Sequence, residues 1–255
     1  MSDKMNLEER IEIEQKKVID EYKKQLEILD QPEPGLKDLT AFKEKGYYAI
    51  EHLNPQNHVT FGNAKLPKTT MIVNLGTWFN CPGRTQGFCD ICQICYDKYV
   101  EVMYKERTIG RLEEEIFWRA CNAEEFAKAL INQINIRNAS TRKYKVKQIR
   151  FSEVGELRNQ EDLEKLIDVS QIVGKETGIK SYIYTHNKNL NFYTKERKYL
   201  TINGSNFMID NEYRVLPLEE IKNIKEPFFR CDCDCTLCNA CAHANGILIV
   251  EELRK

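Results

Sequence analysis

Cys89, Cys92 and Cys95 stand three residues apart in CDICQIC, and Cys81 lies eight positions upstream of Cys89 in FNCPGR. A second group, FRCDCDCTLCNACAH, carries Cys231, Cys233, Cys235, Cys238 and Cys241. With Cys231 as its distal member, this group repeats the first arrangement of one outlying cysteine ahead of a C-x2-C-x2-C run. Structural zinc is usually held by two separated C-x2-C knuckles in a tetrahedron. A closely spaced triplet with a distant fourth thiolate suits the corners of a cubane instead, as in bacterial-type ferredoxin runs. Phe88, Ile91 and Ile94 sit between the thiols, where they would keep water from a cluster. The spacing therefore predicts two [4Fe–4S] clusters, one on Cys81, Cys89, Cys92 and Cys95 and one on Cys231, Cys235, Cys238 and Cys241, with zinc as the alternative metal. Two cubanes need eight thiolates and the groups hold nine, so Cys233 is the least certain ligand. Cys121, in FWRACNAEEF, reads as a small buried apolar residue. His243 reads as a surface group or a neighbour of the ligands.

Composition bears on the choice between metal and disulfide. A chain of 255 residues buries a sizeable core without covalent staples. The N-terminus MSDKMNLEERIEIEQKK has no apolar signal core, and no run approaches the roughly 18 to 20 apolar residues that cross a bilayer. A cytoplasmic protein is expected, and in a reducing compartment ten cysteines point to metal or redox chemistry. The formal net charge of −1 gives no basic field of the kind that marks a nucleic-acid binder, although a local basic face stays open. The partners expected are an electron donor or a small-molecule substrate, with nucleic acid possible and no membrane.

The elements that must position these thiols follow from periodicity. NLEERIEIEQKKVIDEYKKQLEIL (6–29) reads as a long helix with Leu7, Ile11, Val18, Tyr22 and Leu29 on the face packed against its own domain. DQPEPG (30–35) breaks it, and a second helix is expected around Leu36–Leu53. Val59 and Phe61 alternate, Thr70–Leu75 reads as a buried strand, and the first cysteine group falls on the loop after it. CYDKYVEVMYKERTIGRLEEEIFWRACNAEEFAKALINQIN is helical, with an interruption near Gly110. Strand 145–157 with a turn at Gly155, a helix ending in Gly178, strand 179–187, and candidate strands in KYLTINGS and YRVLP then make βα repeats. Such repeats imply a parallel sheet with right-handed crossovers. The expected architecture is α/β: a partial or full βα barrel (residues 58–255) carrying cysteine-rich metal-binding loops, behind an N-terminal helical extension (1–57). Functional groups of such folds collect at the carboxyl ends of the strands, where the Cys81 loop, SEVGE and THN would meet. There Glu153 and Glu156 are candidates to orient a ligand or exchange protons, against a solvated or helix-capping role. His186 is a candidate proton carrier. Arg150, if it points inward, must find an anionic partner such as Glu153, a salt bridge being the default.

GNAKLP (62–67), CPG with the CxxCY-type stretch from Cys81 to Tyr96, IRFSEVGEL (149–157), YTHN (184–187) and the terminal CxxCxxC followed by a short strand are similar, in order and spacing, to the phage gene product 88 family. The resemblance runs from about residue 58 to the C-terminus. It implies a viral or mobile-element origin, hence host cytoplasm, and supplies no activity. The order of cysteine loop, strand with Gly155-Glu156, and strand with Thr185 and Asn187 also resembles the opening of a radical S-adenosylmethionine barrel. That likeness implies Gly155, Glu156 and Thr185 as cofactor-binding positions, with S-adenosylmethionine the candidate cofactor, and Glu153 and His186 join them as cofactor-binding candidates by their place at the same edge. It departs from the superfamily in a first cysteine interval shorter by one residue, in an incomplete Gly-Glu-Pro turn, and in Cys81, which as a fourth thiolate would close the iron that S-adenosylmethionine needs.

Overall fold

The structure is a computed structural model, and it describes residues 5–29, 38–55, 59–92, 95–141 and 143–253. The DQPEPG stretch and Ile94 lie outside the described residues. Helix α1 (Leu7–Ile28) starts at Asn6, whose side chain accepts the Glu9 amide while the Glu9 carboxylate accepts the Asn6 amide. This reciprocal cap satisfies two of the four orphan donors at a helix start. α1 buries Val18, Tyr22 and Leu26, and α2 (Leu39–Glu51), capped by Asp38, buries Phe42, Ala49 and Ile50. Both pack on α5 (Lys105–Ala120) through Leu112 and Ile116.

The sheet has eight strands. β1 (Thr60–Phe61) runs antiparallel to β2 (Thr70–Val73). Beyond it β3 (Gln148–Phe151), β4 (Lys180–Thr185), β5 (Leu200–Ser205), β6 (Asn211–Leu216), β8 (Leu248–Glu252) and β7 (Phe228–Cys231) follow in that spatial order, all parallel. Helices α6 (Ala123–Ala139) and α7 (Gln160–Thr177) cover one face. Met71, Val73, Ile149, Phe151, Ile183 and Ile202 meet Leu130, Ile134, Leu166 and Val173 there. Because side chains alternate along a strand, the partners of those positions, such as Gln148 and Arg150, stand on the other face, which lines a cavity.

The molecule is thus a mixed α/β protein, and the sheet is open, which removes the full-barrel alternative. It ends at one edge in a two-residue strand of opposite direction. At the other edge β7 pairs outside β8, which takes the place beside β6 that β7 would occupy in sequence order. Contacts between the edges run through loops: the Cys235 amide donates to the Lys65 carbonyl at 3.2 Å, and Lys65 Nζ meets Glu251 at 3.3 Å. The expected break near Gly110 is also displaced, since Gly110 lies inside α5. The chain turns instead at Tyr104, between α4 (Tyr96–Met103) and α5, and at Cys121–Asn122, where Asn122 caps α6. A single glycine costs a helix only about 1 kcal/mol, too little to outweigh those caps and the packing beneath α5.

Candidate metal and ligand site

A cavity of about 960 Å³ opens at the carboxyl ends of the strands, and all nine clustered cysteines line it. Cys121 does not belong to them: it is buried in the core on the opposite face, at the end of α5. Cys121 is thus the small buried residue that its helical surroundings in the sequence suggested.

Cys81 precedes the single turn Pro82–Thr85 (α3) that starts the first loop. The Cys89 amide donates to the Gly83 carbonyl at 3.1 Å, so the loop returns on itself. Glycine is required at that crossing, because a Cβ on Gly83 would lie 2.9 Å from Cys89 Cβ and 3.6 Å from Cys81 Sγ. Trp78 Nε1 donates to the Cys92 carbonyl at 3.2 Å, and Cys95 begins α4. Arg111 on α5 anchors that helix through Asp97 at 2.5 Å and Glu101 at 2.8 Å. A hydrogen bond between Cys92 and Cys89, aided by His186, pulls the Cys89 thiol down to about 5 and pushes Cys92 up. Burial raises Cys81 strongly and takes Cys95 to about 12. Any metal that binds this loop must displace protons from its raised thiols.

The second group is held by buried amides and a hydroxyl on β5 and β6. Asn203 Nδ2 donates to the Cys241 carbonyl at 2.9 Å, Asn211 Nδ2 to the His243 carbonyl at 2.7 Å, and Thr201 Oγ1 to the Ala242 carbonyl at 3.2 Å. His243 itself is exposed. Burial raises the Cys231 and Cys235 thiols, and takes Cys241 to about 11 and Cys233 to about 12.

The two metals make different demands on these donors. Thiolates around one tetrahedral zinc lie about 3.8 Å apart, given a Zn–S bond of about 2.3 Å. Among the described residues, one set of three potential ligand atoms lies within 4.8 Å of one another: Cys231, Cys233 and Glu251. Among the described residues no three thiols of the first group converge to that distance, although Cys89 and Cys92 are hydrogen-bonded and all four line one cavity.

The remaining predicted residues divide. Glu156 is buried and neither solvated nor capping: it accepts Thr185 Oγ1, the His186 amide and the Leu157 amide, each at 2.8 Å. Burial raises its carboxyl to about 7 against those bonds. Thr185 is fully buried in this lock. Gly155, at φ 84, passes so close to β2's end that a Cβ would lie 2.6 Å from the Gly76 nitrogen. His186 lines the cavity beside Cys89, and its pKa is raised: burial opposes the protonated form, but the Cys89 hydrogen bond and charge outweigh it. Glu153 lines the cavity but accepts from Asn63 Nδ2. The expected Arg150–Glu153 salt bridge is not formed. Arg150 stacks on Tyr184, 5.1 Å from the ring centroid. Asn203, Asn211 and Thr201 escaped the sequence reading, although a polar residue at every second position of TINGS was the available signal.

A profile of gene product 88 matches residues 38–206, two-thirds of the chain. The chain belongs to the gene product 88 family. The match in this gene product 88 protein extends from α2 to the end of β5, and so takes in the first cysteine loop, SEVGE and THN. It starts earlier than the resemblance above suggested and stops before the second cysteine group. Neither a curated protein nor a solved structure matches the chain. Among the described residues, no helix is long and apolar enough to cross a membrane.

Proposed function

We propose that this gene product 88 protein is an iron–sulfur protein whose two metal centres flank one ligand cavity. The open sheet acts as a partial barrel that brings two distant loops together. The observation that carries the reading is the meeting of nine thiols, from loops 136 positions apart (Cys95 to Cys231), around one cavity. Cys81, Cys89, Cys92 and Cys95 would hold one cluster and Cys231, Cys235, Cys238 and Cys241 the other. Bound clusters would supply one-electron transfer. The chain's own residues hold and orient the site: His186 sits against Cys89, Glu156 fixes His186, and Trp78 fixes the Cys92 carbonyl. A redox or radical-enzyme-like role in nucleotide or nucleic-acid metabolism is the activity class we assign. Since Gly83 draws Cys81 to Cys89, we take the first site as closed by four thiolates.

The test is anaerobic purification followed by absorption, iron and acid-labile sulfide measurements. Broad absorption in the visible blue with about eight iron atoms per chain is expected for two cubanes. Colourless protein holding stoichiometric zinc would sink the proposal. Electron paramagnetic resonance of the reduced protein should be unaffected by S-adenosylmethionine in the wild type and responsive, if at all, in Cys81→Ala. A second reading is favoured by one observation: Cys231, Cys233 and Glu251 converge at single-ion distance. That reading makes the second site a zinc-type structural centre in a module that binds nucleic acid or a host protein, and it predicts one zinc per chain.

A further inference from the structure

We infer that the cavity binds a small organic anion, a carboxylate or a phosphate ester, whose charged end is seated on the Arg150 guanidinium against the Tyr184 ring. The alternation of β3 places Ile149 and Phe151 in the helix-packed core and turns Arg150 to the cavity. There its Nε is buried without a hydrogen-bond partner. Among the described residues the Arg150 side chain forms no ion pair and no hydrogen bond, and its guanidinium stacks on Tyr184. Arg111 is paired with Asp97 and Glu101, and Arg119 with Glu115, whereas the buried Arg137 stacks on Phe61 away from the cavity lining with its Nε likewise unpartnered. The nearest candidate acid, Glu153, is engaged by Asn63.

An uncompensated guanidinium so deep is costly, and a fold keeps one when a ligand supplies the counter-charge. Its planar fork of five donors matches two oxygens of one carboxylate or phosphate. Tyr182 and Tyr213 flank Tyr184 edge-to-face at 6.1 and 4.9 Å, which provides an apolar wall for the body of the ligand. A cavity of about 960 Å³ has room for a metabolite-sized molecule. The proposal rests on the cavity assigned above and not on the identity of its metal, because no carboxylate of the chain pairs with Arg150 and the anion is sought in the cavity itself. The competing partner is internal: the thiols of Cys235 and Cys241 feel the Arg150 charge. No hydrogen bond joins Arg150 to them.

The experiment is thermal melting of the protein as purified, in sodium benzoate or inorganic phosphate against sodium chloride of equal ionic strength. It compares wild type, Arg150→Gln, Arg150→Lys and the exposed control Arg107→Gln. Benzoate or phosphate should raise the melting temperature of wild type and Arg107→Gln, and the more effective probe identifies the anion. Half-saturation should weaken at least tenfold in Arg150→Gln and also weaken in Arg150→Lys, which keeps the charge but loses the fork. Without anion, Arg150→Gln should melt at or above wild type, since it sheds a buried charge. No shift in wild type with either probe, or an equal shift in Arg150→Gln, overturns the proposal. In that event a changed reduction potential of bound iron in Arg150→Gln assigns the arginine to the metal–thiolate group. Iron content and colour, read on the same samples, report separately on the cluster reading.

Discussion

Asn211 on β6 donates through Nδ2 to Asn203 Oδ1 on β5 at 2.9 Å, and both side chains are wholly buried. The pair continues on either side. Asn203 Nδ2 also donates to the Ile183 carbonyl at 3.1 Å, and Asn211 Oδ1 accepts the Asn245 amide at 3.0 Å. Side-chain amides here replace the backbone bonds that an irregular cysteine loop cannot make for itself. Asn203→Ala strands the Cys241 and Ile183 carbonyls and should cost about 1–3 kcal/mol in urea unfolding. It should also deplete metal at the second cysteine group while leaving the first loaded. Full metal content in this variant would show that the loop is held by its ligands alone.

Replacing Cys92 or Cys238, the middle members of the triplets, by Ser should each remove about one cluster's worth of iron, because a hydroxyl is a poor substitute for thiolate. Cys121→Ser should leave metal unchanged, since Cys121 is packed against Trp118 and Phe126 in the core away from the cavity. Equal iron loss in Cys121→Ser and Cys92→Ser would contradict the ligand assignment. Complete metal removal should lower the melting temperature, because the binding free energy of the thiolates is also folding free energy.

Gly155→Ala tests the crossing of the SEVGE turn over β2. The backbone at φ 84 disfavours any L side chain, and the added carbon would meet the Gly76 nitrogen at 2.6 Å. A loss of about 2–4 kcal/mol is expected from strain plus displacement, read by chemical denaturation. A loss below that of an ordinary surface glycine substitution would show that the two backbones separate freely.

The contribution of buried carboxyls on α5 and in the SEVGE turn to stability should fall as pH rises from about 5 to 8. Burial raises Glu114 from its ordinary 4.5 to about 8, against hydrogen bonds from Asn74. The folded value exceeds the unfolded one, so the native chain keeps a proton that the unfolded chain has released across this window. The contribution is complete below pH 4.5 and is lost as pH climbs through 8. Glu156, raised to about 7, acts with the same sign. Glu114→Gln mimics the protonated form, so its stability curve between pH 5 and 8 should be flatter by about 1–3 kcal/mol. Parallel curves for the two proteins would exclude Glu114 as a source.

Local patterns in the sequence were enough to determine most of the elements and the burial of Cys121. The start of α1 at Asn6, the glycine stop at Gly178 and the alternation of β3 are each decided within a few residues, so the sequence revealed them, whereas the equally local Asn122 cap was passed over in favour of Gly110. What only the tertiary structure decided is pairing across distance. Whether the sheet closes depends on where β7 and β8 insert, and which carboxylate an arginine meets depends on side chains brought from other loops. Glu153, three residues from Arg150, is taken by Asn63, and Glu156 is drawn to Thr185 and His186. Arg150 is left facing an open cavity. Spacing along the chain carries no record of such competition, because a hydrogen bond goes to whichever partner the assembled fold delivers within reach.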